Sequence, residues 1–215
     1  MRFSKFWEKR DGKRDQSQTQ RFYLDSSERG KVNEMGVKAE PWQTAEIAGP
    51  KKALLILKPE VVVAMVKKAK RPILIVGHLA AEDYSDDVKL IDYAIRMGKT
   101  AGIPVVATAH MTAEFIKRGF QPAGWMPAVD IGNRLKDPEW KGLDGKGPYD
   151  LAMFMGLPYY MEFVILAGLK HFSTNLKTIS LDRYYDPHAS WSFPNLSVKD
   201  WNESFEVILS KLGGK

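Results

Sequence analysis

Two of the four histidines follow strand-like segments and are the residues best suited to acid–base chemistry at neutral pH. His78 comes after the apolar run "PILIVG", and His110 comes after "PVVATA". If these runs are neighbouring strands, the two imidazoles could form a general acid–base pair at one edge of a sheet. A hydrolase using His78 or His110 is therefore one hypothesis, and ordinary loop histidines are the alternative. The histidines have no metal-ligand spacing and no cysteine companions.

A second set of residues at predicted strand ends is suited to binding a nucleotide. A glycine there lets a phosphate or flavin approach the backbone, and an aspartate can accept a hydrogen bond from a ribose hydroxyl. The predicted crevice is lined by Gly77, His78, Thr108, Gly156 and Asp182. Under this hypothesis Gly77→Val should abolish binding and leave the fold nearly intact. The alternative is that both glycines only make tight turns, since neither belongs to a G-x-G-x-x-G motif.

Alternating strand and helix patterns must position these residues. Strands are predicted in 53–57, 72–77, 103–109, 151–156 and 176–182, and helices in 59–70, 85–102, 111–118, 126–135, 158–172 and 198–212. Ser85 is the predicted N-cap of the second helix, and Gly102 is predicted to lie just past its end. This alternation predicts parallel βαβ units in a Rossmann-like, doubly wound α/β sheet. In such a sheet the ligand crevice lies at the carboxyl ends of the strands.

Residues 1–50 differ from the rest and are predicted to form an extended arm that contacts a partner. They are polar and mixed in charge and lack a sustained hydrophobic period, whereas residues 51–215 are predicted to form a single α/β domain. A disordered tail is the alternative interpretation. Aromatic side chains in the arm and in later loops are the predicted partner contacts: Phe3, Phe6, Trp7, Trp42, Trp140 and Trp191.

The composition excludes several classes of function. The chain has 215 residues and a net charge of +6, but it has no basic stripe interleaved with aromatic residues, so no nucleic-acid partner is expected. It has no secretory signal and no apolar run long enough to span a membrane, so a cytoplasmic protein is expected. Because it contains no cysteine, it cannot form disulfides or hold a cysteine-ligated iron–sulfur cluster. No metal site is predicted.

Several segments resemble the epsilon subunit of the archaeal acetyl-CoA decarbonylase/synthase complex, which includes a carbon monoxide dehydrogenase. The likeness runs from about residue 41 to residue 205. Its most specific blocks are "DPEWKGLDGKGPYDLA" and "SLDRYYDPHASWSFPNL", supported by "PWQTAEIAGPKKA", "AKRPILIVG" and "AGIPVVATAH".

The resemblance implies an accessory, non-catalytic subunit of a larger complex in archaeal one-carbon metabolism and methanogenesis. It would stabilise the large nickel–iron–sulfur carbon monoxide dehydrogenase subunit, in a complex that oxidises CO and reversibly cleaves or makes acetyl-CoA. The implied fold is similar to the central domain of thiamine-diphosphate enzymes, a Rossmann-like sheet that in some relatives holds FAD. An FAD-binding electron-transfer module is the alternative, because a chain without cysteine needs an organic cofactor to carry electrons.

Overall fold

The computed structural model describes residues 52–82, 89–108 and 111–214. The strands are β1 (Leu54–Leu55), β2 (Pro72–Val76), β3 (Val105–Ala107), β4 (Gly124–Trp125), β5 (Leu151–Met155), β6 (Lys177–Ser180) and β7 (Trp191–Ser192). The α-helices are α1 (Glu60–Lys68), α2 (Leu90–Ala101), α3 (Met111–Lys117), α4 (Ala128–Lys136), α5 (Tyr159–Phe172) and α6 (Val198–Gly213). A 3₁₀ helix spans His78–Ala81.

The strands form one parallel sheet, as the alternating pattern predicts. Its order is β1-β7-β6-β5-β2-β3-β4, and each neighbouring pair is parallel. From β2 the chain moves outward to β3 and β4, and then returns to place β5 on the other side of β2. The direction of winding therefore reverses between β2 and β5, which is the kind of switch point where doubly wound sheets bind ligands.

Helices cover both faces of the sheet, so successive residues of a central strand enter two different cores. Leu74 and Val76 of β2 belong to the core under α1, α2, α3 and α6, whereas Ile73 and Ile75 belong to the core under α4 and α5. All four side chains are fully buried. Burial on both faces explains why the strands are continuously apolar and do not alternate with polar residues.

The structure corrects two details of the predicted elements. The second helix begins at Leu90 after the extended residue Lys89, so Ser85 does not cap it, whereas Gly102 ends it in the left-handed conformation at φ 64°, as predicted. The two-residue strands β4 and β7 were not predicted, because runs this short have no measurable period. The predicted arm lies outside the described residues. No helix in the described ranges is long and apolar enough to cross a membrane.

Candidate functional site

The loops after β2 and β5 meet at the switch point, and two glycines allow this contact. The Gly77 amide donates to the Met155 carbonyl at 2.8 Å, and the Leu79 amide donates to the Gly156 carbonyl at 3.0 Å. A Cβ atom at Gly77 would lie 2.2 Å from the Gly156 oxygen, a distance that real Cβ atoms do not tolerate. Gly156 itself has φ +69°, and a Cβ there would lie 2.7 Å from the Ala80 amide nitrogen.

The Gly77–Gly156 contact means that the chain's own backbone fills the space where a phosphate would approach Gly77. It also changes the expectation for Gly77→Val, because the added side chain would meet backbone atoms of Gly156 and Leu157 and so could not leave the fold intact. The close approach of the two loops therefore gives both glycines a structural role in the described conformation.

The other three predicted crevice residues differ in where they lie. His78 is exposed on the 3₁₀ helix, and its predicted companion His110 lies outside the described residues. Thr108 is buried, and its hydroxyl donates to the Val76 carbonyl at 3.1 Å, so it is engaged with the end of β2. Asp182 lies beside Gly156, whose amide donates to its two carboxylate oxygens at 2.8 and 3.0 Å. Gly77, Gly156 and Asp182 are thus brought together.

Asp182 forms a pair with Glu162, which the sequence analysis did not identify. Glu162 lies in the first turn of α5 and is only 3% exposed. Burial, followed by the neighbouring charges of Asp182 and Asp186, raises the pKa of Glu162 well above its ordinary value. Burial also raises the pKa of Asp182 to about 6, although the Gly156 amide and a hydrogen bond with Glu162 oppose this. Both carboxyls therefore keep a proton to a higher pH than they would in water.

Asp186 and His188 extend this group of buried polar side chains. Asp186 is 1% exposed, and burial raises its pKa to about 6 even though the backbone amides of His188 and Ala189 donate to it. His188 is 2% exposed, and its ring meets the ring of Phe163 edge-on at 4.4 Å between centroids. Burial lowers the pKa of His188, so its imidazole is neutral at neutral pH. The positive charge of Lys170 lies close enough to lower the pKa of Asp186.

A cavity of about 90 Å³ opens at the carboxyl ends of β5 and β6. Its lining combines apolar, aromatic and carboxyl groups from Leu79, Leu157, Tyr159, Glu162, Ser180, Asp182, Arg183, Tyr184 and Trp201. Within the described part of the chain, Oε1 of Glu162 is buried without a hydrogen-bond partner. Sites for drug-sized ligands usually have volumes of about 300–1,000 Å³, so this cavity is suited to a much smaller group.

Two observations bear on whether FAD fits the predicted crevice. The Gly77–Gly156 contact leaves no gap for a pyrophosphate between these loops. The neighbouring cavity is also too small for an isoalloxazine ring, since a cavity of about 150 Å³ is needed to hold benzene. Among the described residues, neither the space between Gly77 and Gly156 nor this cavity has room for FAD.

Only Trp140 and Trp191 of the six predicted partner-contact residues lie in the described part of the chain. Phe3, Phe6, Trp7 and Trp42 lie outside the described residues, while Trp140 and Trp191 are partly buried against the chain's own cores. Large apolar side chains that the sequence analysis did not select are much more exposed. They include Trp125, Tyr160, Val164 and Phe172, which are 72%, 70%, 68% and 70% exposed.

The overlooked residues left recognisable signals in the sequence. Glu162 is the one acid in the apolar segment "YYMEFVILAGL", where an ionised side chain would oppose burial on an otherwise apolar helix. Tyr160, Val164 and Phe172 are separated by four and eight residues, so they share one helix face. That spacing is visible in the sequence, but whether the face is covered by another element depends on the tertiary packing.

Comparison with known proteins identifies the family. A family described as "CO dehydrogenase beta subunit/acetyl-CoA synthase epsilon subunit" matches residues 36–209. The acetyl-CoA decarbonylase/synthase complex subunit epsilon of Methanothrix soehngenii is 38% identical over 175 residues, which cover 80% of this chain and 90% of that protein. The subunit epsilon of Methanothermobacter thermautotrophicus is 37% identical over 173 residues, which cover 80% of this chain and 95% of that protein. This chain belongs to the CO dehydrogenase beta subunit/acetyl-CoA synthase epsilon subunit family.

The epsilon-subunit family match confirms the resemblance found in the sequence. It also extends that resemblance slightly at both ends, since the matched region begins at residue 36 and ends within α6. A further relative, subunit epsilon 1 of Archaeoglobus fulgidus, is 39% identical over 161 residues, covering 74% of this chain and 83% of that protein. Glu162, Asp182, Asp186 and the exposed face of α5 all lie within the family region.

Proposed function

We propose that this chain is an accessory, non-catalytic subunit of an acetyl-CoA decarbonylase/synthase complex. In this role it packs on the large nickel–iron–sulfur carbon monoxide dehydrogenase subunit and stabilises it. The family description and the names of the relatives are the support for this choice of complex. The observation that carries the accessory role is an exposed apolar face on α5.

The α5 face consists of Tyr160, Val164, Gly168 and Phe172, which are spaced four residues apart and form one ridge of the helix. Three of these side chains are about 70% exposed, and a Cβ at Gly168 would have no atom within 4 Å. The glycine leaves a gap in the ridge where the backbone of a partner could approach closely. A helix that is apolar on all sides normally has neighbours on all sides, so this face is suited to packing against another subunit.

The chemistry of the complex is consistent with this division of roles. Cysteine thiolates hold the iron–sulfur clusters of redox enzymes, and these 215 residues contain no cysteine. Among residues 52–82, 89–108 and 111–214 there is also no group of histidine and carboxylate side chains placed to hold a metal ion. The reacting metals are therefore assigned to the partner, and this chain contributes packing surface.

A single charged substitution on the α5 face tests the proposed function. Burying a side chain of this size contributes about 1.5–3 kcal/mol, so Val164→Lys should weaken co-purification with the large subunit at least about tenfold. Ile116→Lys is the matched control, because Ile116 is 56% exposed on α3, which packs on the opposite face of the sheet. Equal assembly of the two variants would contradict a role for the α5 face.

The stabilising role has a separate measurement. The large subunit should lose CO oxidation activity more slowly on heating when this chain is bound than when it is alone. This chain alone should not oxidise CO. Removal of residues 1–40 should weaken assembly if the predicted arm contributes to the contact, and an unchanged yield of complex would remove the arm from the proposal.

The alternative function is an FAD-binding electron-transfer module serving CO oxidation in the same complex. Its support is the Rossmann-like sheet, since such sheets bind nucleotides at the switch point. The contact between Gly77 and Gly156 favours the accessory role over this alternative. Titration of the complex with FAD decides between them, because saturable quenching of tryptophan fluorescence at one FAD per chain would support the flavin module.

A further inference from the structure

We propose that the cavity beside Glu162 is a socket for a primary ammonium group, such as the end of a lysine side chain. Glu162 and Asp182 form its acidic base, Ser180 adds a hydroxyl, and Tyr159 and Tyr184 contribute aromatic rings. The two tyrosines are 46% and 39% exposed, so they lie where a group would enter from the surface.

The unpartnered oxygen of Glu162 is the observation that points to a ligand. Buried polar atoms in native proteins almost always have a hydrogen-bond partner, and those without one need an explanation. The Glu162 carboxyl forms hydrogen bonds with Ser180 and Asp182, but its Oε1 has no such partner within the described residues. The residue is only 3% exposed and lines the cavity. A donor that enters the cavity would satisfy this atom.

The charge of the surroundings favours a cation over an anion or a neutral donor. Glu162, Asp182 and Asp186 lie close enough to influence one another electrostatically. The other charged or titratable groups around the site are Lys170, Arg183, His188, Tyr159 and Tyr184. Arg183 also lines the cavity: its guanidinium lies 4.2 Å from the Tyr184 ring centre and donates to the Leu196 carbonyl, and its Nε is buried without a hydrogen-bond partner among the described residues. The three acids still outnumber Lys170 and Arg183 around the site.

The size and lining of the cavity select an alkylammonium over a metal ion or a guanidinium. A volume of about 90 Å³ is smaller than the roughly 150 Å³ that holds the six carbon atoms of benzene, so a group of about three heavy atoms fits. Leu79 and Leu157 provide apolar contacts for methylene groups, and aromatic rings attract organic cations. A planar guanidinium with its attached methylene is larger, and a bare metal ion would leave the apolar walls unused.

Binding of an ammonium should also release a proton from the Glu162–Asp182 pair. Burial raises the pKa of both carboxyls, so each keeps its proton to a higher pH than it would in water. A cation against Oε1 of Glu162 favours the ionised form of both groups. Binding is therefore expected to strengthen as the pH rises from about 5 to about 8.

Ethylammonium is the probe for this socket, because it has three heavy atoms and mimics the end of a lysine side chain. Three heavy atoms limit the affinity to about millimolar. At about 100 mM ethylammonium the Tm of the full chain should rise by about 5 °C relative to the same concentration of sodium chloride. Tetraethylammonium is too large for the cavity and should produce no such rise.

Two variants with a matched control test whether the effect arises in the cavity. Glu162→Gln keeps the size of the side chain and removes its ability to ionise when a cation binds. Leu79→Phe fills the cavity while keeping both carboxyls. Each should lose the ethylammonium-dependent rise in Tm. Glu203→Gln is the control, since Glu203 is 64% exposed on α6 and should keep the rise. An absent rise in the unmodified chain, or an equal rise in Glu162→Gln, would overturn the proposal.

A second arm distinguishes a free amine from a lysine of another subunit. If a lysine of the large subunit occupies the socket, Glu162→Gln should weaken assembly and about 100 mM ethylammonium should compete with it. If Glu162→Gln assembles normally, while the unmodified chain shows the ethylammonium-dependent rise in Tm, the socket takes a free amine. The thermal measurement uses this chain alone, so its result is independent of whether the proposed assembly forms.

Discussion

Asp186→Asn should make the fold less sensitive to pH, because Asp186 is a buried acid without a full set of partners. Its Oδ1 accepts from the His188 amide at 2.8 Å, whereas Oδ2 is buried and has no hydrogen-bond partner within the described residues. Burial raises the pKa of this carboxyl from 3.8 to about 6, and Asp182 adds to the rise while Lys170 opposes it. Asparagine keeps an acceptor for His188 and remains neutral at every pH.

The sign of the effect follows from which state releases the proton first. As the pH rises above 3.8, the unfolded chain loses the Asp186 proton while the folded chain retains it until about pH 6. Ionisation therefore favours the unfolded state across this interval, and the penalty stays constant at higher pH. An acid with a lowered pKa has the opposite effect: ionisation of Asp144 beside Arg71 favours the folded state as the pH rises.

The magnitude is about 3 kcal/mol above pH 6, since a difference of about two pKa units corresponds to about 1.36 kcal/mol per unit. Roughly 1 kcal/mol of this penalty is already present at about pH 4.5. Between about pH 4.5 and about pH 7.5 the Asp186 carboxyl should therefore reduce the free energy of unfolding by about 2 kcal/mol. In Asp186→Asn that contribution disappears.

Urea unfolding of the unmodified chain and of Asp186→Asn at these two pH values measures the effect. The quantity compared is the change in the free energy of unfolding between the two pH values in each protein. Effects of the substitution that do not depend on pH, such as a poorly placed amide, cancel in this comparison. Asp130→Asn is the control, because Asp130 is a surface carboxyl paired with Arg134, and it should follow the unmodified chain. If Asp186→Asn shows the same pH dependence as the unmodified chain, Asp186 is not held protonated by burial and the reasoning fails.

Two further predictions concern packing. Gly77→Ala should destabilise the fold by several kcal/mol or prevent folding, because its Cβ would lie 2.2 Å from the Gly156 carbonyl oxygen. Gly168→Ala should instead stabilise the fold by about 1 kcal/mol, because an added Cβ at this position in α5 meets no other atom. Thermal unfolding of the two alanine variants checks this, and similar Tm values would contradict it. Tyr185→Phe should lower the free energy of unfolding by about 1–3 kcal/mol, since the tyrosine hydroxyl donates to the buried Ala53 carbonyl at 2.8 Å, and urea unfolding measures the loss.

The fold class could be predicted from the sequence because each element carries its own pattern. The apolar runs at 72–77 and 151–156 and the helical pattern at 158–172 correspond closely to β2, β5 and α5. The order of the strands could not be predicted in the same way. Which strands become neighbours depends on long-range packing, and the contact between the loops after β2 and β5 follows from that order.

The candidate site shows the same limit at the level of single residues. The sequence places Gly77, Gly156 and Asp182 at strand ends, and these three do come together. Their spacing could not show that the carbonyl of one glycine would occupy the space beside the other. Glu162 stands out in the sequence as the one acid of an apolar segment, but an acid in the first turn of a helix also has an ordinary explanation in the helix dipole, and its burial decides between the two.

The Gly77–Gly156 contact and the small acidic cavity are consequences of the same packing. Because the two loops approach each other directly, the crevice at the switch point is closed, and the remaining space lies to one side between β5, β6 and the start of α5. That displaced space contains carboxyl groups where a nucleotide site would present backbone amides to phosphates. The carboxyl groups of Glu162 and Asp182 in this space suit a small cation better than the phosphates of a nucleotide, as the proposed ammonium socket requires.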